Sequence, residues 1–421
     1  MRKILFSGLL AAMSVSAAVA EEATLRIGFM SSHQSEVAPI SRSFHDGLAD
    51  FVTLVTLRDG AAIEVMSCET NYTLEGHVAC AQELVGAGAH LLIPTQTEGA
   101  YALNRLAPQL QVPVMNGGLG QTATARGELF PWSFVFPANY PQAAAAMIGR
   151  FGQELGGLEG RKIGFLYHDS PFGQEPIPVL QAMATRMGFE LVLYPVEPPG
   201  EDQRETWGRI ARDAPDRLIV WTVGRMTATA VGTAAAIDYP RENMMGIWWT
   251  TIEPMMRALG DAADGMRAVS MTAVGHDVSA YNDLNELVYF AGLGHGTMNN
   301  IGDVDYNRGL VVGAYLYDAY RDAAAAGPLT GATFRDALAR LTMTEDEIDA
   351  LGLEDLMPPI AMTCADHSGE GLLQVIRWNA DFRRWQNDGD YVSGANPIVD
   401  AVIGEQAAFF AREWGLEPSP C

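Results

Sequence analysis

From residue 24 onward, short apolar runs alternate with longer stretches of helical period. The runs Thr24–Met30, Ala61–Cys68, Leu91–Ile93, Val112–Met115 and Phe134–Pro137 read as buried strands. Between them, apolar residues recur every three or four positions, which predicts helices over about Ile40–Val55, up to Leu84 and beyond Thr97. Strands separated by helices imply a parallel sheet, because a parallel neighbour needs a crossover. The pattern restarts at Arg161, with strands predicted at Arg161–Tyr167, Phe189–Val196, Arg217–Val223, Met244–Trp249 and Met266–Thr272. Helices at Pro176–Met187, Glu205–Asp213, Met226–Ile237 and Glu253–Leu259 fit between them. Two consecutive α/β halves of similar size imply two lobes of like fold.

The rest of the chain is mostly helical by period. Asp303 to Ala325 carries apolar residues at helical spacing, and Thr344 with Glu347 fits a capping box. Gly371–Trp378 and Arg384–Gln386 flank Asn379-Ala-Asp-Phe in the manner of a hairpin, and a last helix is predicted over about Val399–Trp414. Asp303, Asp305 and Asn307 resemble a fragment of a calcium loop, but no glycine or distal glutamate follows at the right spacing, so they read as a helix start.

In a parallel sheet the loops leaving the strands' carboxyl ends share one edge, and ligands bind there. Two such loops are rich in small-anion chemistry. Thr95, Gln96 and Thr97 sit where one helix begins; Asn116, Gly117, Gly118 and Gly120 follow the next strand. Hydroxyls, amides and backbone N–H groups hold a carboxylate at a helix start. Each residue alone is equally explained by capping or by a turn, and the pair of loops is what favours binding. The strand ends of the second half are aromatic: Tyr167, Phe172, Trp221, Trp248 and Trp249. We place Tyr167, Phe172, Trp221 and Trp248 at the cleft. Core packing is the other reading for Trp221 and for one of the tryptophan pair, since neighbours on a regular strand face opposite ways. An aromatic wall suits a bulky apolar ligand or cages a quaternary ammonium.

Composition narrows the class. Residues 1–20 carry Arg2 and Lys3, an apolar run, and Ala18-Val19-Ala20, the pattern of a cleaved export signal. A formal charge of −24 disfavours nucleic acid as a partner. The four cysteines, Cys68, Cys80, Cys364 and Cys421, suit two disulfides in an exported chain, with three possible connectivities; a local Cys68–Cys80 bridge is geometrically reasonable, and Cys364–Cys421 would tie the C-terminus down. No metal or cofactor is expected, because no CxxC occurs and the histidines show no ligand spacing. A secreted carboxylate-handling hydrolase is the rival class; no Gly-x-Ser-x-Gly elbow supports it.

Several stretches, in their order along the chain, carry a family resemblance. They are Gly127-Glu-Leu-Phe-Pro-Trp-Ser-Phe, the run from Gly160 to Pro176, Gly246-Ile-Trp-Trp-Thr, Gly260-Asp-Ala-Ala-Asp-Gly-Met and Tyr306-Asn-Arg-Gly. The mature chain resembles the type I periplasmic substrate-binding proteins, and within them the branched-chain amino-acid receptors of ABC transporters. The resemblance implies two Rossmann-like lobes joined by a three-segment hinge, with lobe 1 at 21–138 plus 277–360 and lobe 2 at 139–276 plus 361–421. It also implies a periplasmic, monomeric binding protein, no enzyme, that delivers a small carboxylate to an inner-membrane permease. The expected ligand is an amino acid with an apolar or aromatic side chain; the alternatives are an aromatic carboxylate without an amino group and a quaternary ammonium solute. The family's carboxylate-holding positions match Thr97 and Asn116 to Gly120, and its aromatic before glycine matches Phe172. The family's ammonium-binding acid matches poorly: its position holds Trp248, and Glu253 is the nearest acid.

Overall fold

The computed structural model describes residues 24–275 and 278–419. Strands β1 (Leu25–Ser31), β2 (Ile63–Glu69), β3 (Leu91–Ile93), β4 (Val114–Met115) and β5 (Ser133–Phe134) form one parallel sheet in the order β2-β1-β3-β4-β5. Helix α1 (Ala38–Asp59) packs on one face of it; α2 (Leu74–Gly86) and α3 (Thr97–Leu110) cover the other. The second sheet begins after α4 (Tyr140–Leu155). It contains β6 (Lys162–His168), β7 (Glu190–Val196), β8 (Arg217–Trp221), β9 (Met244–Gly246) and β10 (Arg267–Ser270), which run parallel in the order β10-β9-β8-β6-β7. Helices α5 (Pro171–Gln174), α6 (Ile177–Met187), α7 (Arg204–Asp213), α8 (Gly224–Ala236) and α9 (Glu253–Leu259) connect these strands.

The chain then returns to the first sheet. Helices α10 (Ser279–Asp283), α11 (Val304–Ala326), α12 (Gly331–Leu338) and α13 (Glu345–Ala350), with the short ladder of β11 (Thr342–Met343) and β12 (Ile360–Ala361), bury their apolar faces with α1. A third passage leads to the hairpin β13 (Leu372–Asn379) and β14 (Arg384–Ser393), which extends the second sheet antiparallel beyond β10, and to α14 (Pro397–Trp414). Three passages between two sheets make this a two-lobe α/β fold with a three-segment hinge.

Local chemistry explains several boundaries. Asn139 and Gln142 close a capping box on α4, as Thr344 and Glu347 do on α13. Asp303 precedes α11 directly, in keeping with a helix start there, and no metal-binding group of three or more residues occurs among the described residues. Helices α1 and α11 touch backbone to backbone: a Cβ on Gly47 would strike the Tyr306 carbonyl, and one on Gly309 would strike that of Phe44. Cys68, near the end of β2, and Cys80, in α2, form the expected disulfide with Cα atoms 5.6 Å apart. The Cys364–Cys421 pairing and the export signal involve residues outside the described ones. No described helix is long and apolar enough to cross a membrane.

Candidate functional site

The loops at the carboxyl ends of β1–β4 face those at the carboxyl ends of β6, β8 and β9 across a narrow cavity. From the first sheet's side it is lined by Val37, Ile40, Ser41, Phe44, Tyr72, Pro94, Thr95, Thr97, Gly117 and Leu119. The opposite wall is Tyr140, Phe172, Val223 and Trp249. The lining is mostly apolar and carries no Asp, Glu, His, Lys or Arg.

Of the twelve binding residues expected from sequence, Thr95, Thr97, Gly117 and Phe172 line this cavity. Thr95 Oγ1 donates to the Met30 carbonyl at 2.7 Å and meets Ser32 Oγ at 2.8 Å, so its hydroxyl also ties β3 to β1. Thr97 opens α3, and its Oγ1 lies 3.3 Å from the Tyr140 hydroxyl. Gln96, the N-cap of α3, makes no side-chain cap, which leaves the first N–H groups of this helix for another acceptor. Phe172 is held by its neighbours: Trp221 Nε1 donates to its carbonyl at 3.1 Å, and Tyr140 meets its ring at 5.5 Å.

The other eight lie outside the cavity wall, each for a visible reason. Gln96 turns its Nε2 to the Tyr72 carbonyl at 3.0 Å. Asn116 is fully buried and donates to Asn104 Oδ1 at 3.0 Å. Gly118, at φ +88°, presents its carbonyl to Trp248 Nε1 at 3.1 Å. Gly120 leaves room for the Glu175 carboxylate. Tyr167 stacks on Phe165 with ring centres 5.0 Å apart. Trp221 is wholly buried against the edge of Tyr140. Trp248, also wholly buried, stacks on Tyr140 at 5.7 Å. Strand β9 stops at Gly246 and residues 248–250 make a 3-10 turn, so strand alternation does not govern the tryptophan pair. Trp249, not Trp248, reaches the cavity, and its Nε1 donates to the Tyr140 hydroxyl at 2.9 Å.

Glu253 departs most from expectation. Its Oε1 accepts the N–H of Val304 at 2.8 Å, capping α11 from the opposite half. Burial, and then Asp303 and Asp305, push its carboxyl well above the ordinary range. No acid stands in the cavity wall to receive an ammonium.

Sequence reading also missed Tyr140, whose ring contacts Phe172, Trp221 and Trp248. The capping box Asn139-x-x-Gln142, right after the last strand of the first sheet, is the signal that places Tyr140 at a passage between sheets. Glu175 was likewise not singled out. Its Oε1 accepts from Thr122 N–H at 2.8 Å and from Thr122 Oγ1 at 2.6 Å, while Oε2 accepts from the Tyr101 hydroxyl at 2.6 Å. Burial pushes this carboxyl up, against the pull of those hydrogen bonds.

A family model described as "Periplasmic binding protein" matches residues 24–383. Among solved structures, one titled an ABC transporter permease from the Pseudomonas fluorescens group is 28% identical, with a TM-score of 0.88 over 94% of this chain and 99% of its own. A branched-chain amino acid ABC transporter from Thermus thermophilus with bound valine is 16% identical, with a TM-score of 0.74 over 90% and 99%. A solute-binding protein of an ABC transporter from R. palustris, in complex with benzoate, is 16% identical, with a TM-score of 0.69 over 89% and 99%. No curated protein matches. With the family model covering most of its length, and two α/β sheets facing each other across a cavity, the chain belongs to the periplasmic binding protein family.

Proposed function

We propose that this protein is the exported receptor of an ABC importer and captures a small carboxylate with an apolar or aromatic body between its lobes. The lobes are lobe 1 at 21–138 plus 277–360 and lobe 2 at 139–276 plus 361–421, and a monomer presents the closed cavity to an inner-membrane permease. The leader at residues 1–20 supports export to the periplasm. One observation carries the ligand class: the cavity pairs Ser41, Thr97 and the open start of α3 with the rings of Phe44, Tyr72, Tyr140, Phe172 and Trp249, and offers no acid. Hydroxyls and a helix N-terminus hold a carboxylate, and rings hold its body. An ammonium group would meet no carboxylate in this wall, which supports a ligand without an ammonium.

A second reading, the amino acid itself, draws on two amide oxygens. Gln96 Oε1 and Asn116 Oδ1 are buried beside the site without a partner and would accept from an ammonium. Thermal unfolding separates the two. The panel is benzoate, phenylacetate, 4-methylpentanoate, L-phenylalanine, L-leucine and choline. A ligand at 100 times its dissociation constant adds about 2.7 kcal/mol. The carboxylates are expected to raise the melting temperature more than the amino acids do, and choline not at all. A shift from L-leucine or L-phenylalanine alone would transfer the assignment to the second reading.

A further inference from the structure

We infer that Arg308 is the counter-charge that makes this cavity select an anion, acting through Trp249 from the opposite half of the molecule. The inference rests on the carboxylate reading and names the residue that enforces it.

The cavity wall itself has no cation, and the chain around it carries a formal charge of −24. Such a protein repels anions at long range, and a positive charge near the site offsets that repulsion. Arg308 is the buried guanidinium beside the wall. It sits in the second turn of α11, is 2% exposed, and stacks over the Trp249 ring with Cζ 4.5 Å from its centre. Trp249 in turn lines the cavity and donates to the Tyr140 hydroxyl, which meets Thr97. Charge and cavity are therefore one ring apart, in a setting where little water screens the field.

Arg308 forms a buried ion pair with Asp305, and the pair has poor hydrogen-bonding geometry. Its Nη2 lies 3.2 Å from Asp305 Oδ1, yet Nε, Nη1, Nη2 and that oxygen all lack a hydrogen-bond partner. The other charges here are committed elsewhere. Asp303 pairs with Arg257 at 2.8 Å, and Glu253 accepts from Val304. Removing a guanidinium from water without giving its donors acceptors is costly, and a buried pair of that kind is weak as a source of stability. A nearby anion offsets that cost, which couples ligand charge to closure of the two halves.

The test compares each carboxylate of the panel with its own primary amide, benzoate against benzamide and so on, by calorimetry on wild type, R308M, R308Q and R308K. An amide keeps the shape and loses the charge. In wild type the carboxylate is expected to bind at least tenfold tighter than the amide. R308M and R308Q should bring that ratio within threefold of one, while R308K keeps most of it. Two neutral variants guard against one that fails to fold, and the folded state is checked by melting each. A ratio unchanged in both neutral variants, or R308K matching R308M, would overturn the inference and leave Arg308 as a packing residue. If neither carboxylates nor amides bind wild type, the carboxylate reading itself falls. If amides match carboxylates in wild type, the cavity does not select charge and Arg308 has no such role.

Discussion

Glu175 and Arg308 both carry a charge from one half of the protein to the other, and they are treated in opposite ways. Glu175, just past β6, fills both carboxylate oxygens with three donors from Tyr101 and Thr122 beside the first sheet. Arg308 leaves the second turn of α11, reaches Trp249 beyond β9, and finds a ring but no acceptor of hydrogen-bonding geometry. A satisfied charge fastens the two halves whatever the cavity holds. An unsatisfied one is held ready for something that arrives, since buried polar groups without partners are rare unless they have a task. One cleft thus contains a clasp and a sensor.

The contrast is broken most strongly at the clasp. Glu175→Ala strips three donors of their acceptor, and leaving a buried donor unsatisfied costs about 1–3 kcal/mol. Carboxylate affinity should fall by about 30-fold or more, chiefly through faster dissociation, measured by stopped-flow release. A change under threefold would show that closure does not depend on this contact. A second effect is expected at the sensor. Removing one partner of a buried ion pair is destabilising, because it leaves the other charge, here Asp305, buried and unpaired. The ligand-free Arg308→Met protein should therefore melt below the wild-type temperature, and an unchanged temperature would show that Asp305 does not depend on Arg308.

The smallest effect is the pH dependence of the clasp. The Glu175 carboxyl sits above its ordinary value of 4.5 in the closed form, because burial outweighs its hydrogen bonds. Closing then takes up a proton. The resulting gain is complete below the ordinary value and is lost as pH rises through the closed-state value. Affinity should strengthen as pH is lowered across that window, because burial raises the carboxyl. Glu175→Gln should flatten the profile; an unchanged slope would assign the proton to another group.

Much of this architecture was legible from period alone. Buried strands announce themselves by short apolar runs, and the helix of Glu253–Leu259 has the bounds its pattern predicts. The glycine loop and Thr97 were legible too, because turn chemistry and strand ends fix where such loops lie. The aromatic wall was less so. Choosing between Trp248 and Trp249 required knowing that β9 ends early and turns, which no two-residue alternation encodes. Glu253 misled because nearness in sequence to a family position says nothing about aim: it opens α9 and points at the start of α11. Glu175 and Arg308 were beyond reach, since their meaning lies in contacts across the cleft with Gly120, Thr122 and Trp249.

The backbone contact of α1 with α11 at Gly47 and Gly309 has one more consequence. With no Cβ between them, the two helices seat as one plate. That plate presents Ile40, Ser41 and Phe44 to the cavity and Arg308 to Trp249. A designer who wishes to retune the receptor can treat Phe172, Val223 and Trp249 as exchangeable tiles set against a fixed template. Changes on α1 itself would shift the charge along with the shape, so new specificities are best sought on the far wall.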